Sequence, residues 1–346
     1  MTPALVSPAG VGRYARGVSA ALERHPEVEL SVLESSTGEA ARRPARVARG
    51  LKREGLWYPW LLQRRARAAG SQLVHVPAPY GARGGGLPIV LSAHDVLPLR
   101  HPELFTRTMT AHMRHVSTHH LRKADRVLCG SEHVRGELAE LVGVRPERIA
   151  VTPYGVDERF RPSERDPDWL RERFGVDGRY LLCVGTLEPR KNLARSVQAF
   201  ARIAREESDC SLVIVGAPGW RNDAFERQLG SAGERVVVTG RVSEEELVRL
   251  YGGAACLLFP SLGEGIGFPV IEAMACGTPV VTSDRTSLPE LAGDAGLLVD
   301  PTDPDAIAAA ALRLLRERGL KRSAAHTWEA CAEASVAVYR AALGES

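Results

Sequence analysis

The stretch Ser261-Leu-Gly-Glu264-Gly-Ile-Gly-Phe-Pro269-Val-Ile-Glu272-Ala-Met-Ala-Cys-Gly277-Thr-Pro-Val-Val-Thr282 constrains this chain more than any other. It reads as strand, glycine loop, short helix, strand. The apolar run Cys256–Phe259 supplies the first strand. Pro269 stands where a helix tolerates proline, because the first helical amides have no internal acceptor. Gly277 then ends a helix predicted over Pro269–Cys276. This spacing leaves Glu264 in the loop and puts Glu272 near the first turn, where free amides and the positive end of the macrodipole lie. Gly263, Gly265 and Gly267 let the backbone approach a phosphorylated ligand, and the two carboxylates offer acceptors for sugar hydroxyls on either side of it.

At 346 residues the chain is long enough for two ordinary domains. Hydrophobic content of 44%, charged content of 25% and a net charge of +3 fit a soluble globular protein. They exclude a disordered chain and give no general case for nucleic acid as a partner. No apolar run approaches the roughly 20 residues that span a bilayer, and the N-terminus lacks the pattern of a signal peptide, so the expected address is cytoplasmic. Cys129, Cys183, Cys210, Cys256, Cys276 and Cys331 are scattered without a Cys-x-x-Cys pair, and read as reduced core thiols.

From Tyr180 onward, apolar strands alternate with helices of ten or more residues: Tyr180–Val184, Leu212–Val215, Val236–Val238, Ala255–Phe259 and finally Gly296–Val299. This alternation argues for a parallel sheet with helices on both faces. The loop after the first of these strands is Gly185-Thr-Leu-Glu-Pro-Arg190-Lys191-Asn192. With Asn192 as the helix N-cap, Arg190 and Lys191 stand beside the positive end of a helix, a costly arrangement that a diphosphate would satisfy.

The first half is less regular. Gly10-x-Gly12-x-x-Ala15 fits a dinucleotide fingerprint, with Glu34 at the end of an expected strand Leu30–Leu33 to hold a ribose. Pro3 and Pro8 interrupt the strand that should precede it. From Ala40 to Arg67 arginines and lysines surround Trp57, Tyr58 and Trp60. Those basic residues read either as solvated helical faces or, over 42–67, as a peripheral membrane contact with anionic headgroups. Strands are expected at Gln72–Val76, Pro88–Leu91, Asp125–Gly130 and Arg148–Thr152. His94 follows the carboxyl end of the second, where open parallel sheets place ligands. His112, His115, His119 and His120 lack the acidic partner of a zinc motif and read as helix surface. The polar run Arg161–Pro167 reads as the interdomain linker.

The frame around Glu264 and Glu272 resembles the signature of the retaining nucleotide-sugar glycosyltransferases of family four. That resemblance runs through nearly the whole chain and is strongest after Tyr180. It implies the GT-B fold: α/β, two facing Rossmann-like domains with a cleft between them and a C-terminal helix, from His326, crossing back to the first. The expected domains are 1–160, completed by 326–346 and holding the acceptor, and 161–325, holding the donor. The reaction implied is retaining transfer of a hexose from a nucleoside-diphosphate sugar, UDP- or GDP-linked, to a glycan, lipid-linked or small-molecule acceptor hydroxyl, without cofactor or metal. By the resemblance His94, Glu264, Lys191 and Arg190 are the catalytic group, and Gly12, Gly185, Thr186, Val242, Gly265, Ile266, Gly267, Phe268 and Glu272 bind the donor. Thr186 departs from the pattern, since many members carry arginine there. Two alternatives stand beside this reading: a nicotinamide-dependent oxidoreductase using Gly10, Gly12, Ala15 and Glu34, and a non-catalytic nucleotide-sugar-binding protein of the same fold.

Overall fold

A computed structural model describes residues 10–33, 61–81, 86–231, 233–316 and 328–344. The chain divides into two compact units. One comprises Met1–Gly155 with His326–Ser346, the other Val156–Ala325. The division falls just before Phe160, which is buried and packs edge-on against Tyr251 at 5.8 Å, so residues 156–160 belong with the second unit.

In the first unit β1 (Val74–Val76), β2 (Ile89–Ser92), β3 (Arg126–Cys129) and β4 (Ile149–Val151) pair in sequence order, all parallel. Their apolar runs are buried against helices in a core that includes Leu91, Leu121, Val127 and Leu138. Helix α1 (Gly10–Glu23) buries Tyr14, Val18 and Leu22, a spacing that lines one helical face.

The second unit holds β5 (Arg179–Val184), β6 (Cys210–Val215), β7 (Val236–Gly240), β8 (Cys256–Phe259), β9 (Val280–Ser283) and β10 (Gly296–Val299), again all parallel. Every residue of β6 and β8 is buried, as expected of strands covered on both faces. Helices α2 (Leu193–Glu206), α3 (Glu244–Gly253) and α4 (Phe268–Ala275) connect them. The spatial order is β10-β9-β8-β5-β6-β7. The chain thus builds outward from β5 to β7, then returns to the other side of β5 with β8.

The last helix, α5 (Trp328–Leu343), packs on α1 within the first unit. Gly17 makes this contact close: a methyl group there would lie 2.1 Å from Trp328 Cε2. Trp328 is buried at that point.

The dinucleotide expectation fails on local structure. Gly10, Gly12 and Ala15 lie inside α1, not in a turn before it. Leu30–Leu33 forms no strand, and its Leu30 and Leu33 line a cavity in the first unit while Val32 is exposed. Without ladder hydrogen bonds the segment gives no fixed strand end from which to hold a ribose. Pro3, Pro8 and Glu34 lie outside the described residues, as does most of the basic stretch. Of that stretch, Arg64, Arg65 and Arg67 are exposed on the short helix Leu62–Ala68, whose Leu62 and Ala66 face inward. Among the described residues no helix is long and apolar enough to cross a membrane, and no group of three or more His, Cys, Asp or Glu is placed to hold a metal ion. All six cysteines are free and buried.

Candidate active site

Strand order reverses between β5 and β8, and in an open parallel sheet the loops leaving two such strands diverge and open a crevice at their carboxyl ends. The loops in question are 185–192 and 260–267. The first begins at Gly185, whose φ of 148° and whose closeness to the Lys191 stem both select glycine; a Cβ would stand 2.9 Å from Lys191 Cε. The loop then tightens into one 3-10 turn, Pro189–Lys191.

Asn192 ends that turn in the left-handed region, φ 58°, and does not cap α2 through its side chain. Its amide Nδ2 instead donates to the Pro260 and Pro301 carbonyls at 2.9 and 2.6 Å. Asn192 holds the expected N-cap position, its carbonyl accepting from the Arg195 and Ser196 amides, but its side chain does not cap: the two buried carbonyls need a donor, and Asn192 supplies it from a backbone conformation that asparagine tolerates. Asn192 therefore fastens the first loop to the second.

Arg190 and Lys191 meet Glu264 across the crevice. Lys191 Nζ donates to Glu264 Oε1 at 2.7 Å and stands 4.6 Å from the Phe259 ring centroid. Arg190 Nη1 donates to the other Glu264 oxygen and to the Gly263 carbonyl, the latter at 3.2 Å. The Leu262 amide donates back to the Arg190 carbonyl at 2.8 Å. The far edge of the guanidinium, Nε and Nη2, is held by Glu188 Oε1 at 3.0 and 2.6 Å. A third loop fixes the Glu264 backbone: its N–H donates to Thr286 Oγ1 and its carbonyl accepts from Ser287 Oγ.

These four charged side chains are almost withdrawn from water, with 4% of Glu188, 16% of Arg190, 10% of Lys191 and 5% of Glu264 exposed. Burial pushes the Glu264 carboxyl upward, but the charges of Arg190 and Lys191 outweigh it and hold the group below the usual glutamate range. Burial also pushes the Lys191 ammonium down, an effect that Glu264 offsets only in part. The result is a compact, preorganised set of cations at the switch point of the sheet.

The remaining donor residues distribute around this centre. Gly265 is buried and Ile266 half-buried in the second loop, and Phe268, the first residue of α4, is buried. Gly267 is left-handed, φ 65°, and begins α4 without a side-chain cap. Glu272 is a correction: it falls in the second turn of α4, not the first, with no acidic residue near the free amides. It is buried and accepts from the Tyr251 hydroxyl of α3 at 2.9 Å. Thr186 and Val242 are half-buried just beyond the ends of β5 and β7.

Gly12 and His94 belong to the first unit. Gly12 is buried within α1. His94 is buried with both ring nitrogens engaged: Nε2 donates to the Pro77 carbonyl at 3.0 Å and Nδ1 accepts from the Tyr154 hydroxyl at 2.9 Å. Burial lowers its pKa to about 4, so the ring is neutral. A second relay lies beside it, in which Tyr339 bonds His75 at 2.5 Å, His75 bonds Ser92 at 2.8 Å and Ser92 donates to Tyr14 at 3.0 Å. The cavity of about 250 Å³ in this unit is lined by apolar and polar residues of α1, the 27–33 segment, the Leu62–Ala68 helix, β1 and α5, and includes none of the candidate site residues.

Sequence reasoning missed Glu188, Tyr251, Thr286 and Ser287. For Glu188 a signal was present: a carboxylate two residues before an arginine in a proline-stiffened turn. The other three act across loops and left no local trace.

A parallel α/β unit wound in both directions opens a ligand crevice at its switch point, and in this unit that place holds a pair of buried cations. Comparison with known proteins narrows the class. Residues 178–317 match the family model of glycosyl transferases group 1, and residues 8–160 that of glycosyltransferase family 4. An O-antigen chain mannosyltransferase B from Escherichia coli is 33% identical over 267 residues, covering 72% of this chain and 70% of the relative. Among solved structures, a sucrose-phosphate synthase from Thermosynechococcus elongatus superposes with a TM-score of 0.74 at 22% identity, covering 98% of this chain and 94% of that one. Anabaena HepE, solved with UDP and glucose, superposes with a TM-score of 0.61 at 20% identity, over 81% of this chain and 76% of that one. The chain belongs to glycosyltransferase family 4 and has the GT-B fold. Glycosyl transfer is its reaction class, and the oxidoreductase alternative is set aside.

Proposed function

We propose that the protein is a retaining, metal-independent hexosyltransferase that takes a UDP- or GDP-linked hexose as donor and delivers it to a hydroxyl of a glycan or lipid-linked sugar. The observation that carries this reading is the convergence of Arg190 and Lys191 with Glu264 where the strand order reverses. In this reading the diphosphate takes Arg190 and Lys191, the sugar meets Glu264 and the 265–268 amides, Glu272 holds the ribose, and Gly185, Thr186 and Val242 border the nucleotide. The bond from the anomeric carbon to the diphosphate breaks first, giving an oxocarbenium-like ion pair. The acceptor oxygen attacks the face the diphosphate leaves, and the departing phosphate oxygen takes the acceptor proton. Fixed cations stabilise the charge that develops on the leaving group, which is why no side-chain nucleophile is required. Gly12 and His94 enter through the first unit.

The test is a thermal-shift panel with UDP, GDP, ADP and dTDP followed by a transfer assay with the matching nucleotide sugars. A diphosphate at 100 times its dissociation constant stabilises by about 2.7 kcal/mol. A shift with one base and a product that keeps the donor's anomeric configuration support the reading. No shift with any diphosphate removes it, an inverted product removes the retaining mechanism, and a shift without transfer leaves the non-catalytic binding protein.

A further inference from the structure

The charges at the switch point balance, two carboxylates against two cations. A diphosphate carries further negative charge into this poorly solvated place, so it can bind well only where the present partners of the cations let go. The two carboxylates differ in how they hold. Glu188 lies on the same loop as Arg190, two residues away, and one oxygen grips the Nε and Nη2 edge of the guanidinium. Its loop is anchored through the Leu187 amide, which donates to the Ala217 carbonyl at 2.9 Å. Glu264 comes from the opposite loop and occupies Arg190 Nη1 and Lys191 Nζ, the two donors a diphosphate needs.

We propose that the two carboxylates divide the work: Glu264 is an exchangeable counter-ion that cedes Arg190 Nη1 and Lys191 to the diphosphate, and Glu188 is a positioning residue that stays and aims the guanidinium. The inference rests on the donor reading above. It makes Glu264 the plug of the empty site and, once displaced, the carboxylate that meets the sugar. It also explains why Arg190 needs a buried carboxylate of its own. A flexible guanidinium that lost Glu264 without Glu188 would follow it or swing to solvent.

The two roles have opposite signs in one experiment, calorimetric titration of the full chain with UDP and GDP. Glu264→Gln removes the competitor and binds the diphosphate about tenfold tighter, while transfer slows. Glu188→Gln also removes a negative charge, which by electrostatics alone would tighten binding; loss of aim instead weakens it about tenfold. In an Arg190→Ala background Glu188→Gln adds nothing further, because no guanidinium is left to hold. Glu188→Asp carries the same expectation should the glutamine variant fail to fold. Glutamate variants that shift affinity in the same direction, or an additive loss in the double variant, overturn the inference. If the wild-type chain binds no diphosphate, or binds it unchanged after Arg190→Ala and Lys191→Ala, the donor reading itself falls.

Discussion

Each unit buries a polar network, and the two are built on opposite principles. In the second unit the partners are ions: Glu188, Arg190, Glu264 and Lys191, drawn from loops at the strand ends. In the first they are neutral: His94 between Tyr154 and Pro77, and the relay from Tyr339 through His75 and Ser92 to Tyr14. A neutral network satisfies itself with short-range bonds and gains nothing from a charged visitor. A charged one is poised for exchange, since each ion keeps its long-range attraction for whatever opposite charge arrives. The contrast teaches where a ligand site can be recognised without a ligand: in the network whose partners are replaceable.

The largest test of this contrast removes one ion. Glu264→Leu leaves Lys191 without its buried counter-ion and Arg190 with Glu188 alone, and should cost about 3–5 kcal/mol in urea unfolding of the second unit. Added nucleoside diphosphate should restore much of that loss; a loss that the ligand leaves untouched would make the network structural and erase the distinction. Lys191→Ala comes next. By analogy with removal of an oxyanion donor, it should lower kcat by about 10²–10³, some 2.7–4 kcal/mol, and an unchanged rate takes the lysine out of the mechanism.

Acid separates the two networks by sign and window. His94 has its pKa lowered to about 4 from 6.5, so between those values the unfolded chain binds a proton that the folded chain refuses. Stability of the first unit is therefore full above 6.5 and falls as pH drops toward 4, the His94 share by about 3 kcal/mol, and buried His75, lowered to about 3, adds a loss of the same sign. Glu264 is depressed as well, but it is a carboxylate: its contribution is present above the ordinary value of 4.5 and is lost only as pH falls through its lower folded value. Unfolding midpoints measured from pH 7 to 3 should show the first unit weakening first, and His94→Gln should make that early slope shallower, leaving the part that His75 supplies. Ser92→Ala is the smallest change. It leaves His75 and Tyr14 without a shared partner and should cost about 1–3 kcal/mol, with no effect on diphosphate affinity.

The sheet of the second unit was legible in its entirety, because its strands, fully buried at β6 and β8 and half-buried at the edges, are written as continuous apolar runs, and each expected strand formed within a residue or two. The glycine loop and the basic pair were legible for a similar reason: Gly185, Gly267, Arg190 and Lys191 answer to local backbone and local charge. What failed was everything decided by a distant neighbour. Asn192 stands at the cap position as expected, and only the carbonyls of Pro260 and Pro301, far along the chain, explain why its side chain bonds elsewhere. Glu272 was placed beside free amides because its partner, Tyr251, sits on another helix. Leu30–Leu33 has the composition of a strand, yet a strand exists only where a neighbour accepts its ladder, and no pattern within four residues can report that.

The packing of Trp328 into the space left by Gly17 has a consequence for how the molecule is made. The second unit is contiguous and can acquire its native structure as it leaves the ribosome, whereas the first, although synthesised earlier, waits for α5 to be translated before Tyr14 and His75 are covered. The order of maturation therefore inverts the order of synthesis. A stalled or clipped chain ending before Trp328 should leave the earlier half, not the later one, exposed to chaperones and proteases.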